Sequence, residues 1–170
     1  MQTVKLARCA LFSALMCICA WLSIPMGNMT FTLQSFGLLL ALLVLGGKGA
    51  TLSVAVYLLL GAVGFPVFSG FRGGLGALLS ATGGYLWGFL LACIVFWVFT
   101  AIFGEKANIP AGICALLCVY LCGTVWFAVY APGALLPILA QSVLPYILPD
   151  AIKFLLAYTL SGKLKKLLPA

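Results

Sequence analysis

An all-α integral membrane fold, a single bundle of six transmembrane helices, is what this sequence predicts, and two observations carry the prediction. Hydrophobic residues make up 65% of the chain and charged residues 6%, with a mean hydropathy of +1.28. A water-soluble domain carries roughly 25% charged residues; this one has 9 Lys and Arg and 2 Asp and Glu in 170 residues, too few to face water. The second observation is spacing. A spanning helix needs about 20 apolar residues, and the apolar runs, bounded by charge or by Gly and Pro, leave room for six crossings and short loops, with residues 1–170 as one transmembrane domain.

The first run, at about 6 to 24, follows Lys5 and Arg8 and ends before Pro25. A charged start and an apolar stretch also describe a signal peptide, but the rest of the chain is equally apolar, so the run is read as a retained first helix. Runs at about 32 to 46 and 50 to 64 are separated by Gly46-Gly47-Lys48-Gly49, which predicts a tight helical hairpin. The stretch VFSGFRGGLGALLSATGG from Val67 is too glycine-rich for a spanning helix. It is read as a long loop between the third and fourth helices, folded onto the outer face.

A fourth helix is expected at about 82 to 103 and a fifth from Pro110 to about 130. The segment ALLPILAQSVLPYIL, interrupted by Pro137 and Pro145, is too short at 1.5 Å per residue to cross a ~30 Å core. The last helix is then expected to open at Pro149, since proline suits a first helical position. With both termini cytoplasmic, Lys5, Arg8, Lys48, Lys106, Lys163, Lys165 and Lys166 all fall on the cytoplasmic side, as membrane topology favours.

The same composition excludes whole classes of chemistry. There is no His, and the acidic residues are Glu105 and Asp150 alone, which leaves little from which to build a general base and its orienting partner; no enzyme activity, cofactor or metal is expected. The basic residues stand singly or at the termini, so the excess of +7 does not indicate nucleic acid. Lys48 is followed by Gly49 rather than Ser or Thr, so the glycines around it are not a nucleotide loop. The seven Cys lie in apolar runs, and Cys114, Cys118 and Cys122 stripe one helix face; they are read as small packing residues.

Three charges need a reason. Asp150 and Lys153 stand at i and i+3 and share a helix face; inside a membrane such a pair marks a functional site, a passive intrahelical ion pair being the alternative. Together a carboxylate and an ammonium suit a neutral polar group that offers donors and an acceptor. Arg72, in the outer loop, suits a separate anion on the same ligand, or is a solvated loop charge. On the first helix Ala7, Ala10 and Ala14 form a small-residue stripe, which serves either packing within the bundle or a groove for another membrane protein.

The ordered segments ALFSAL in the first run, FTLQSFGLLLALLVLGGKGATLSVAVYLLLGAVGFPVFSGFRGGLG from Phe31, TGGYLWGF from Thr82 and LPDAIK from Leu148 resemble those of BioY, the biotin-specific substrate-binding subunits (S components) of energy-coupling factor (ECF) transporters, over nearly the whole chain. The sequence departs from that pattern at Ser80-Ala81-Thr82, where a Gly-Pro-Thr-like turn is expected, and at Pro149-Asp150, which lacks an intervening Gly. The resemblance implies a six-helix vitamin-uptake protein of the bacterial cell membrane. It would bind biotin near the outer face and dock on a transmembrane coupling protein driven by two cytoplasmic ATPases, ATP being used by those partners. It places Asp150 and Lys153 on the biotin head group and Ala10 and Ala14, with Ala7 beside them, against the coupling protein.

Biotin's chemistry suits these residues. Its ureido ring has two N–H donors for Asp150 and a carbonyl for Lys153, and its carboxylate suits Arg72, with Gln34 and Tyr85 as secondary polar contacts. Phe36, Tyr85, Trp87 and Tyr146 are candidates for an apolar wall. Three other readings fit the same composition: a proton-coupled secondary carrier for a small organic acid with Asp150 titrating, a structural membrane scaffold, and an S component for another vitamin.

Overall fold

A computed structural model of the chain describes residues 2–26, 29–130 and 143–167. Helix α1 (Gln2–Trp21) leads into a two-stranded antiparallel ribbon, β1 (Ser23–Met26) and β2 (Met29–Thr32), with Ser23 opposite Thr32 and Ile24 opposite Phe31. Then come α2 (Gln34–Val63), a short α3 (Leu75–Leu78), α4 (Gly83–Phe103), α5 (Asn108–Tyr130) and α6 (Leu144–Leu167).

The ribbon corrects the expected end of the first helix, which stops at Trp21 rather than near residue 24. The backbone explains the stop: the Leu33 N–H donates to the carbonyls of Cys19 and Leu22 at 3.2 and 3.3 Å, capping carbonyls that the helix leaves without partners.

Helix α2 is two antiparallel arms. Gln34 and Tyr57 lie 23 residues apart, yet Gln34 Nε2 donates to Tyr57 Oη at 2.6 Å; an unbroken helix would hold them roughly 34 Å apart. The reversal is at Gly46, whose φ of 71° and ψ of 175° suit glycine and almost no other residue. The hairpin expected from the Gly46–Gly49 cluster is therefore present, turning on one residue. The arms pack on α1 in opposite senses: Gly37 lies against Cys19, while Ser13 Oγ donates to the Ser53 carbonyl at 2.7 Å.

The remaining helices alternate in the same way. Gly84 lies against Trp126 and Gly88 against Val119, so α4 and α5 run antiparallel; Gly112 lies under Phe154 while Tyr120 bonds Asp150, so α5 and α6 do too. Six rods result, with the described starts and ends of the chain at one end of the bundle. Lys5, Arg8, Lys48, Lys106, Lys163, Lys165 and Lys166 gather there, and Lys48 caps the Trp97 ring at 5.2 Å.

The opposite end carries the β-ribbon and residues 64–82. That segment does not span: it folds onto the bundle, burying Val67, Phe68 and Leu78, and is tied to α1 by Trp21 Nε1, which donates to the Pro66 carbonyl at 2.8 Å. Between the ends, an apolar core of Phe12, Met16, Leu38, Leu42, Val54, Tyr57, Cys93 and Phe96 joins α1, both arms of α2 and α4. Helices α1, α4 and α5 are each long and apolar enough to cross a membrane, and α2 is so in total length, before its folding into two arms.

A second boundary differs from expectation. Helix α6 begins at Leu144, so Pro149 lies inside it rather than opening it. Pro145 occupies the first turn instead, where a missing N–H has no helical partner to lose. Of the apolar segment preceding α6, residues 131–142 lie outside the described residues.

Candidate functional site

A cavity opens between the ribbon, the 64–82 segment and the facing ends of α2, α4, α5 and α6. Its empty volume is about 870 Å³ with the open mouth included. Each wall follows from helical periodicity. Tyr146, Asp150 and Lys153 stand at i, i+4 and i+7 on α6 and share one face, and Thr82, Tyr85, Leu86 and Phe89 form the matching stripe at the start of α4. Val119 and Tyr120 come from α5, Gln34 and Ser35 from α2, Thr30 and Thr32 from β2, and Phe68, Ser69, Arg72 and Ala77 from the 64–82 segment.

The polar end is a closed hydrogen-bond network. Asp150 and Lys153 are each 5% exposed and form an ion pair, Nζ to Oδ1 at 2.7 Å. Ser35 Oγ donates to the same Oδ1 at 2.7 Å, and Tyr120 Oη donates to Oδ2 at 2.5 Å. Lys153 Nζ also donates to the Thr32 carbonyl at 2.7 Å and to Ser35 Oγ at 3.0 Å, and it sits 4.2 Å from the Phe31 ring centroid. Phe31 in turn stacks on Tyr146 at 6.3 Å. Burying two charges is tolerable only when geometry and further hydrogen bonds compensate, and here each charge has at least three such contacts.

The 64–82 segment supplies the second polar group. Arg72 Nε donates to the Ser69 carbonyl at 3.2 Å, while Phe68 and Arg72 pair as an isolated bridge. Ser69 Oγ is buried and lacks a partner among the described residues, a donor beside the guanidinium with no protein acceptor. Tyr85 reaches the cavity because residue 123 is glycine: a Cβ there would overlap the Tyr85 ring.

Of the residues singled out from sequence, Asp150, Lys153, Arg72, Tyr85, Gln34 and Tyr146 all line this cavity. Phe36 does not; it packs against the core, because Gln34 and Ser35 already occupy the cavity-facing positions and the next residue turns about 100° away. Trp87, two residues beyond Tyr85, faces outward and is 40% exposed for the same reason. The expectation that Lys153 donates to a ligand carbonyl meets a proton count: its three N–H groups already have three protein acceptors, so a carbonyl reaches it only by displacing one. Sequence reasoning missed Tyr120, Ser35, Phe31 and the Thr32 carbonyl. Only Ser35 had a signal, adjacency to Gln34; the others depend on how α5 and the ribbon pack.

On α1, Ala7, Ala10 and Ala14 are all exposed, flanked by exposed Leu6, Leu11 and Ile18. Among the described residues the small-residue stripe therefore lies on the surface of the bundle.

A family model described as the BioY family matches residues 1–170. The chain belongs to the BioY family. Among curated relatives, it is 37% identical over 168 residues to the biotin transporter BioY of Thermotoga maritima, covering 96% of each chain. It is 38% identical over 166 residues to the probable biotin transporter BioY of Pyrococcus horikoshii, covering 97% of this chain and 98% of the other. Among solved structures, the fold matches a crystal structure of the S component for biotin from an ECF-type ABC transporter with a TM-score of 0.86 and 28% identity, over 97% of this chain and 92% of that one. With its spanning helices, this BioY-family chain is a multi-pass membrane protein.

Proposed function

We propose that this chain captures biotin in the cavity described above and delivers it inward as the S component of an ECF-type transporter, with no catalytic step of its own. The observation that carries the reading is the cavity's division of labour in a BioY-family chain. A buried carboxylate, with Oδ1 accepting from two groups and Oδ2 from one, lies between α5 and α6, apolar walls come from Phe68, Leu86, Phe89 and Val119, and a guanidinium arrives on a separate element. Asp150 accepts from the ureido N–H groups, the walls hold the bicycle and chain, and Arg72 with Ser69 Oγ takes the carboxylate.

The lysine-rich end of the bundle faces the cytoplasm, which leaves the cavity opening outward in a bacterial plasma membrane. The exposed Ala7, Ala10 and Ala14 stripe docks on the transmembrane coupling protein, where small side chains let helices approach closely, and two cytoplasmic ATPases supply the energy. Calorimetric titration of the purified chain with biotin tests the binding step. Heat is expected for wild type and a large loss for Asp150→Asn; no heat with biotin, or equal heat with thiamine or riboflavin, refutes the assignment. Uptake that a protonophore abolishes in cells lacking the ATPases would instead support the proton-coupled carrier.

A further inference from the structure

We propose that Tyr120 determines the specificity of this site, its Oη and Asp150 Oδ2 forming a paired acceptor that selects a head group bearing N–H donors. The proposal rests on the biotin reading and adds to it which atoms of the head group are recognised. It follows from counting protons. A tyrosine hydroxyl has one proton, and Tyr120 gives it to Oδ2 at 2.5 Å; the other contact, to the Tyr146 carbonyl at 3.4 Å, is long for an O–H donor. Towards the cavity, therefore, the phenol oxygen is an acceptor.

Asp150 Oδ1 already accepts from Lys153 and Ser35, whereas Oδ2 accepts from Tyr120 alone among the described contacts and keeps acceptor capacity. The Ser35 proton goes to Asp150, and the three protons of Lys153 go to Asp150, Ser35 and the Thr32 carbonyl. These four side chains thus leave acceptor capacity on two adjacent oxygens of cavity-lining residues, Tyr120 Oη and Asp150 Oδ2, and hold no uncommitted donor. Such a surface rewards a ligand for each N–H it presents and demands little of the carbonyl between them. Lys153 and Ser35 act as positioning residues that hold the carboxylate in place, and Tyr120 and Oδ2 read the ligand.

The test compares biotin, biotin methylated at its ureido nitrogens, and the analogue with sulfur in place of the ureido oxygen, by calorimetry on wild type, Tyr120→Phe, Asp150→Asn and the double variant. In wild type, methylation should weaken binding by about a hundredfold or more, as expected when buried acceptors lose their donors, and the sulfur exchange by less than about tenfold. Tyr120→Phe should weaken biotin about ten- to a hundredfold and change the methylated analogue by no more than about threefold, and it should add nothing further in the Asp150→Asn background. Additive losses, or equal losses for biotin and the methylated analogue, would show a structural role and overturn the proposal, as would Tyr120→Phe binding like wild type. A sulfur analogue that loses as much as the methylated one overturns it without any variant, so a failure of Tyr120→Phe to fold leaves the test intact. A wild type that binds no biotin overturns the biotin reading and this inference with it.

Discussion

Lys153→Met isolates what the buried ion pair does for the fold. Methionine keeps much of the length and removes the charge, so Asp150, 5% exposed, is left with Ser35 and Tyr120 as its donors. The Thr32 carbonyl simultaneously loses the hydrogen bond that ties β2 to α6. Removing one partner of a buried pair destabilises by about 3–5 kcal/mol, since the remaining charge is stranded. At about 2–4 °C per kcal/mol for a chain of this size, that is a fall of roughly 6–20 °C in the unfolding midpoint. The double variant Asp150→Asn, Lys153→Met strands no charge and should recover more than half of the loss. Thermal unfolding of the detergent-solubilised chain without biotin, followed by tryptophan fluorescence, reads both. A single variant melting within about 2 °C of wild type, or a double variant melting as low as the single, would show that the two charges are not energetically linked.

Three further outcomes are expected. Arg72→Ala should weaken biotin far more than biotin amide on the proposal that the guanidinium meets the ligand carboxylate; equal losses in parallel titrations would remove that role. Tryptophan at both Ala10 and Ala14, whose side chains face outward, should leave biotin titration within about twofold, the substitutions being remote from the cavity, while co-purification with the coupling protein is lost; retained co-purification would move the docking face elsewhere. Gly46→Val forces a β-branched residue into φ 71°, ψ 175°, a strain of roughly 1–3 kcal/mol, and should lower the unfolding midpoint; an unchanged midpoint would mean that the arms of α2 reverse without that conformation.

Composition alone determined the class of this protein, because a chain with 6% charged residues has no route to a water-facing surface. Hydrophobic run lengths and the positions of glycine and lysine then located the α2 hairpin, the non-spanning 64–82 segment and the lysine-rich end of the bundle. Those features are local or additive, which is why a linear reading recovers them. Asp150 and Lys153 were legible for the same reason: a charge in an apolar run is conspicuous wherever the run folds, and a separation of three residues puts both on one helix face.

What surrounds the pair was not legible. Tyr120 and Phe31 are ordinary residues of an apolar sequence, and they become part of the site only because α5 packs antiparallel to α6 and the ribbon folds over Lys153. The Thr32 contact is through a backbone carbonyl and leaves no trace in residue identity at all. Phe36 and Trp87 show the converse: aromatic character marked them as wall candidates, but helix phase turned one to the core and the other outward. Hydrogen-bond partners are set by three-dimensional register over separations such as the 121 residues between Thr32 and Lys153, and tertiary packing alone decided which groups bond each oxygen of Asp150.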